Sequence, residues 1–221
     1  MIKGLKICGV SDPETLNYIL NHNHKPTMIG FITNYKKSKR FVEFEKLKDL
    51  INVDKKKVNF VSVLVNPNDE ILEKIKDLKI NYLTIHVSSG LEALKATKKV
   101  SGKIKLIGVT ILTSLDNKAL KDIGFNKDVK KLVLHQAKIA NKAKLDAIVC
   151  SAQEVKEVKK VFKKEIITPG IRFNSKSNDQ RRVLTPKQAY KNGSDWLVMG
   201  RPITKGNIKK NIQNLIDHLS Q

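Results

Sequence analysis

Glu165-Ile166-Ile167-Thr168-Pro169-Gly170-Ile171-Arg172 and Trp196-Leu197-Val198-Met199-Gly200-Arg201-Pro202-Ile203-Thr204 are the two stretches that decide how this chain folds. Each is a short apolar run that breaks into glycine and then arginine. A glycine lets the backbone close on an anion. The amide N–H groups that follow the strand point at it, and an arginine adds a two-pronged fork. Asp179-Gln180-Arg181-Arg182 lies between the two stretches. The rear of the chain therefore reads as a clamp for a phosphorylated small molecule. Working outward, similar runs recur at residues 5–8, 28–33, 60–65, 82–86, 106–112 and 147–150. Helix-like runs occupy residues 12–21, 43–51, 69–78, 91–99, 128–143 and 153–162. The first opens with Asp12-Pro13, a side-chain acceptor followed by a residue already fixed for the first turn. Eight strands alternating with helices, without a long linker, predict an α/β fold. We expect one domain over residues 1–221, a parallel sheet closed into a single (β/α)8 TIM barrel.

In such a barrel the active site lies where the strands end. That rule selects Cys8, Thr33, Asn66, His86 and Thr113, then Cys150, Ser151, Arg172 and Arg201. Cys150 reads as a packed apolar residue and His86 as a packed barrel histidine. Arg181 and Arg182 read as solvated loop charges. His22 and His24 supply too few ligands for a metal site, so no metal or organic cofactor is expected.

The net charge of +22 suggests nucleic acid at first sight. Of the 43 basic residues, however, only Arg40, Arg172, Arg181, Arg182 and Arg201 are arginine, and aromatics make up 5%. Nucleic-acid readers cluster their charge and use arginine and aromatic stacking. The lysines here are scattered, so no nucleic-acid partner is expected, and the positive field instead favours arrival of anionic small molecules. Two distant cysteines, Cys8 and Cys150, imply no disulfide framework. With neither a leader-like apolar segment nor an 18-residue apolar run, no membrane partner is expected and the expected location is cytoplasmic.

From about residue 82 onward the motifs fall into a known order. Thr84-Ile85-His86-Val87-Ser88-Ser89-Gly90, Gly108-Val109-Thr110-Ile111-Leu112-Thr113-Ser114 and Leu145-Asp146-Ala147-Ile148-Val149-Cys150-Ser151-Ala152-Gln153-Glu154 are followed by the two clamp stretches. This section resembles orotidine 5′-phosphate decarboxylase. The resemblance implies a phosphate held by Gln180, Arg201 and the backbone near Gly170 and Gly200, with Ser151 on the pyrimidine edge. The implied chemistry is a carbon–carbon lyase step in pyrimidine biosynthesis, orotidine 5′-monophosphate to uridine 5′-monophosphate (UMP). The resemblance also allows a homodimer.

Residues 5–78 resemble a different family. Lys6-Ile7-Cys8-Gly9-Val10, Met28-Ile29-Gly30-Phe31-Ile32, Lys37-Ser38-Lys39-Arg40-Phe41-Val42 and Val61-Ser62-Val63-Leu64-Val65-Asn66 resemble phosphoribosylanthranilate isomerase, of tryptophan biosynthesis. The resemblance implies Cys8 as general base and Arg40 as the contact for the substrate carboxylate. Both families are barrels of the ribulose-phosphate-binding type. We therefore expect a recombinant of two half-barrels, with the seam near residues 79–87.

Each resemblance is incomplete at its reacting groups. The decarboxylase family carries Asp-x-Lys-x-x-Asp after its third strand, where this chain reads Val65-Asn66-Pro67-Asn68-Asp69. Asp77-Leu78-Lys79 repeats part of that pattern, but at a helix end. The isomerase family has an aspartate at the top of its sixth strand, where this chain has Cys150-Ser151 and where Asp146 falls at the opposite end. Three readings follow: a decarboxylase-family barrel, an isomerase using Cys8, or a catalytically silent barrel that binds a phosphosugar or nucleotide.

Overall fold

The computed structural model describes residues 2–64, 69–78, 80–173 and 182–220. Eight parallel strands close on themselves in the order β1-β2-β3-β4-β5-β6-β7-β8. In chain order the elements are β1 (Ile2–Cys8), α1 (Pro13–Asn21), β2 (Pro26–Ile32), α2 (Phe44–Ile51), β3 (Asn59–Val63), α3 (Asp69–Lys76), β4 (Tyr82–His86), α4 (Leu91–Val100), β5 (Lys105–Val109), α5 (Asn117–Asp122), α6 (Val129–Lys142), β6 (Ala147–Val149), α7 (Val155–Val161), β7 (Glu165–Thr168), α8 (Pro186–Lys191), β8 (Trp196–Met199), α9 (Arg201–Thr204) and α10 (Ile208–Ser220). The expected barrel is the one observed. Among the described residues no helix is long and apolar enough to cross a membrane.

The chain divides into two compact units. The first comprises residues 1–84, 103–105 and 199–221, and so holds β1 to β3, most of β4, α1 to α3, and α9 and α10. Its helices form where the pattern predicts. The Asp12 carboxylate accepts from the Thr15 amide at 2.7 Å and Pro13 fills the first turn, satisfying a helix start that would otherwise leave amides unpaired. Leu16, Ile19 and Leu20 then recur on one face and are buried. In the sheet, Ile29 pairs with Phe60 and Phe31 with Ser62, which brings the rings of Phe31 and Phe60 edge to face at 5.3 Å.

The second unit, residues 85–102 and 106–198, holds β6, β7, most of β5 and β8, and α4 to α8. Gly108 on β5 is required by packing: a Cβ there would stand 2.7 Å from Leu145 Cδ1 and 2.9 Å from Val87 Cγ2. Helix α8 opens with a reciprocal cap between Thr185 and Gln188.

One device recurs at the strand starts. Asn81 precedes β4, and its Oδ1 accepts from the Phe60 amide of β3 at 2.9 Å while its own amide donates to the Phe60 carbonyl. Asp146 precedes β6 and treats Leu106 of β5 the same way, with Oδ2 at 2.8 Å. Asp195 precedes β8 and does so to Ile166 of β7, also at 2.8 Å. Each short polar side chain thus satisfies an amide at the beginning of the preceding odd strand. Asp146, which also pairs with Lys98, is therefore a strand-start residue and no acid of the catalytic end.

Boundaries differ from the sequence expectation in two informative places. Residues 106–112 read as one strand, but β5 stops at Val109. Thr110 turns its hydroxyl to the Val149 carbonyl at 2.7 Å, and the carbonyls of Ile111 and Leu112 accept from Arg182. Helix α7 begins at Val155 rather than near Gln153, because the Ser151–Glu154 turn precedes it.

Candidate functional site

In the first unit the ends of β1 and β8 and the loop after β2 come together around one arginine. Arg40 Nη1 donates to the Cys8 carbonyl at 3.0 Å. A Cβ on Gly9 would stand 2.5 Å from the same nitrogen, and one on Gly200 would stand 2.6 Å from it. Two glycines thus leave the slot in which the guanidinium lies. Gly9 also has φ +83°, a left-handed backbone that glycine adopts without a Cβ clash. Its amide donates to the Gly30 carbonyl at 2.8 Å, which fixes the chain reversal just after Cys8. Cys8 is half-buried. Arg201 follows Gly200 as the first residue of α9 and is exposed. Of the expected site residues, the structure therefore gathers Cys8, Arg40 and Gly200, with Arg201 next in the chain.

Thr33, Ser62 and Lys6 are buried polar residues of the same unit. Thr33 shares a hydrogen bond with Ser62 at 2.9 Å. Lys6, two residues before Cys8 on β1, is only 4% exposed. The sequence motif contains Lys6, yet nothing in its spacing marks it as a site residue.

In the second unit a different arginine dominates. Arg182 read as a solvated charge; it is instead buried, with Nη1 2.7 Å from Glu154 Oε1. Its Nη2 donates to the carbonyls of Ile111 and Leu112 at 3.2 and 3.0 Å, and its amide to the Thr113 carbonyl. One guanidinium thereby ties the segment after β7 to the ends of β5 and β6. The Ser151 hydroxyl accepts from the Gln153 amide at 3.3 Å. Burial pushes the Glu154 carboxyl upward, more than Arg182 draws it down.

Gly170 has φ +76° and its carbonyl accepts from the Leu184 amide. Ile171 bridges Leu184, so the two arms of the loop are paired at its base. Arg172 Nη1 donates to the Ile171 carbonyl at 2.8 Å. Cys150 is fully buried, and burial pushes its thiol up, which fits the packed reading and removes it as a nucleophile. His86 is half-buried, and burial lowers its pKa from 6.5. Asp77 is an exposed residue just past α3. Gln180, Arg181, Asn66 and Lys79 lie outside the described residues. Among the described residues no cluster of three His, Cys, Asp or Glu is placed to hold a metal.

A closed barrel of eight parallel strands, its last strand running into Gly200-Arg201 and its seventh into Pro169-Gly170, is a TIM barrel. Residues 66–212 match the family described as orotidine 5′-phosphate decarboxylase / HUMPS, and the chain belongs to that family. The orotidine 5′-phosphate decarboxylase of Wolbachia pipientis is 48% identical over 138 residues. That match covers 61% of this chain, which spans 61% of the relative's length. The crystal structure of orotidine 5′-phosphate decarboxylase from Lactobacillus acidophilus superposes with a TM-score of 0.70 at 22% identity, covering 99% of this chain and 100% of the other. A phosphoribosylanthranilate isomerase in complex with reduced 1-(o-carboxyphenylamino)-1-deoxyribulose 5-phosphate superposes with a TM-score of 0.65 at 15% identity, covering 100% and 99%. Both likenesses are of fold. The family match begins at residue 66, upstream of the seam expected near residues 79–87.

Proposed function

We propose that this chain binds a pyrimidine nucleoside 5′-monophosphate and decarboxylates orotidine 5′-monophosphate to UMP. The observation that carries the reading is the unbroken family match over residues 66–212, which takes in both clamp stretches and both arms of the loop between them. In this reading Arg201 and the backbone at Gly200 take the phosphate; an arginine fork and strand-end amides suit a dianion. Gly170, Gln180 and Ser151 are ligand contacts of the same reading. The positively charged chain draws an anionic substrate toward it. We infer that residues 5–78 derive from an isomerase-type half-barrel, a reading supported by the KICG and KSKR motifs at Cys8 and Arg40.

A second reading, isomerisation of a phosphoribosyl-aminobenzoate with Cys8 as base, is favoured by one observation: Arg40 lies against Cys8. It lacks an acid at the end of β6. Genetic complementation separates the readings. Rescue of a uracil auxotroph supports the decarboxylase, and rescue of a tryptophan auxotroph supports the isomerase. Rescue of neither leaves a binding protein and overturns both catalytic readings.

A further inference from the structure

The loop after β2 holds Arg40 in a fixed place. Its far end returns to the strand it left: Ile32 bridges Phe41, and the Val42 amide donates to the Ile32 carbonyl at 2.8 Å. Within the loop the Arg40 amide donates to Ser38 Oγ at 3.2 Å. The backbone around Arg40 is thereby set before any ligand arrives.

The side chain then runs along the ends of two strands. A Cβ on Gly9 would stand 2.8 Å from Arg40 Cδ, 2.9 Å from Cζ and 2.5 Å from Nη1. One on Gly200 would stand 2.6 Å from Nη1 but 3.7 Å from Cζ. The stem therefore passes Gly9, and the tip of the guanidinium meets the backbone at Gly200. All of these residues belong to the first unit. A guanidinium carries five N–H donors, and the Cys8 carbonyl takes one of them, from Nη1. The ion pairs found among the described residues do not include Arg40. This half-buried cation is tied by a neutral acceptor and has further donors to offer an anion.

We propose that Arg40 is a second phosphate-binding arginine, gripping from the β1 side the group that Arg201 meets at the end of β8. This rests on the nucleotide reading above and adds a residue to its phosphate site. Barrels of this architecture hold phosphate at the ends of the seventh and eighth strands. Gly200 follows β8, with Arg201 its neighbour in the chain and Arg40 its neighbour in space. Two guanidinium forks beside one backbone turn suit a monoester dianion, whose three oxygens can be shared between them. The isomerase resemblance gives Arg40 a substrate carboxylate instead, and the two roles predict different losses.

Titration of the full chain separates them. UMP carries a phosphate and no carboxylate, and uridine carries neither. Arg40→Met keeps an apolar stem and removes the fork. It should weaken UMP about tenfold or more, the scale of one lost hydrogen bond to a charged group, and leave uridine within about twofold. Arg40→Gln serves if Arg40→Met does not fold. Unchanged UMP affinity would overturn the assignment, since a carboxylate contact leaves UMP untouched. Equal losses for UMP and uridine would also overturn it, because Arg40 would then only hold the strand ends in place. Ribose 5-phosphate tells this failure from that of the nucleotide reading. If wild type binds it but not UMP, the nucleotide reading falls and Arg40 is judged on ribose 5-phosphate against ribose. If wild type binds neither phosphate ester, both fall.

Discussion

Arg182 Nη1 stands 2.7 Å from Glu154 Oε1, with neither side chain more than 9% exposed. The pair joins the segment after β7 to the turn after β6, and Arg182 also reaches two carbonyls after β5. Removing one partner leaves the other buried and uncompensated. Arg182→Ala or Glu154→Ala should therefore cost about 3–5 kcal/mol in urea unfolding. Arg182→Met combined with Glu154→Leu should cost less than the two single changes added together. Strict additivity would show that the two charges do not act as a unit.

Arg201 is the arginine expected to hold phosphate. Arg201→Ala should weaken UMP by about 1.5–3 kcal/mol, the range for a hydrogen bond to a charged group. The loss should vanish when uridine, which has no phosphate, replaces UMP in the titration. Unchanged UMP affinity would dismiss the clamp at the end of β8.

Gly9 and Gly206 both have positive φ, +83° and +77°. A side chain at either meets left-handed strain of about 1–2 kcal/mol. Only at Gly9 would the new Cβ also strike a neighbour, Arg40, whereas nothing lies within 4 Å at Gly206. Gly9→Ala should accordingly destabilise more than Gly206→Ala in denaturant titration. It should also weaken any ligand that depends on the placement of Arg40.

Burial lowers the pKa of His86 below 6.5. As pH falls through 6.5 the unfolded chain takes up a proton that the folded chain resists. The His86 contribution to stability is thus complete above that pH and declines below it, down to the lowered folded value. His86→Gln should flatten this part of the stability–pH curve. A curve of unchanged slope between neutral pH and pH 5 would show that another group is responsible.

The thiols should separate by reactivity. Cys8 is half-buried, whereas Cys150 is fully buried with its thiol pushed up. A disulfide reagent should modify one thiol per native chain quickly and the second only on unfolding. Loss of the fast phase in Cys8→Ser would assign it.

The barrel could be read from the amino-acid order because its signals are local. Strand-like runs ending in glycine and helices opened by Asp12 or Asp128 depend on neighbours a few residues away. So do the two Gly-Arg turns, and the order of motifs pointed to the family over the rear of the chain. The burial of Lys6 and the contacts that Arg40 and Arg182 make depended on the fold, and no local pattern encodes them. Lysine on a strand and arginine in a loop look solvated until the fold surrounds them. Gly30 opens space for Lys6 from the neighbouring strand, and Glu154, 28 residues before Arg182, supplies its counter-charge. Sequence alone specified which backbone elements form and which strand-end turns are expected to hold an anion. Only the tertiary structure decided which cations are buried, because the cost of burying a charge is set by partners distant along the chain.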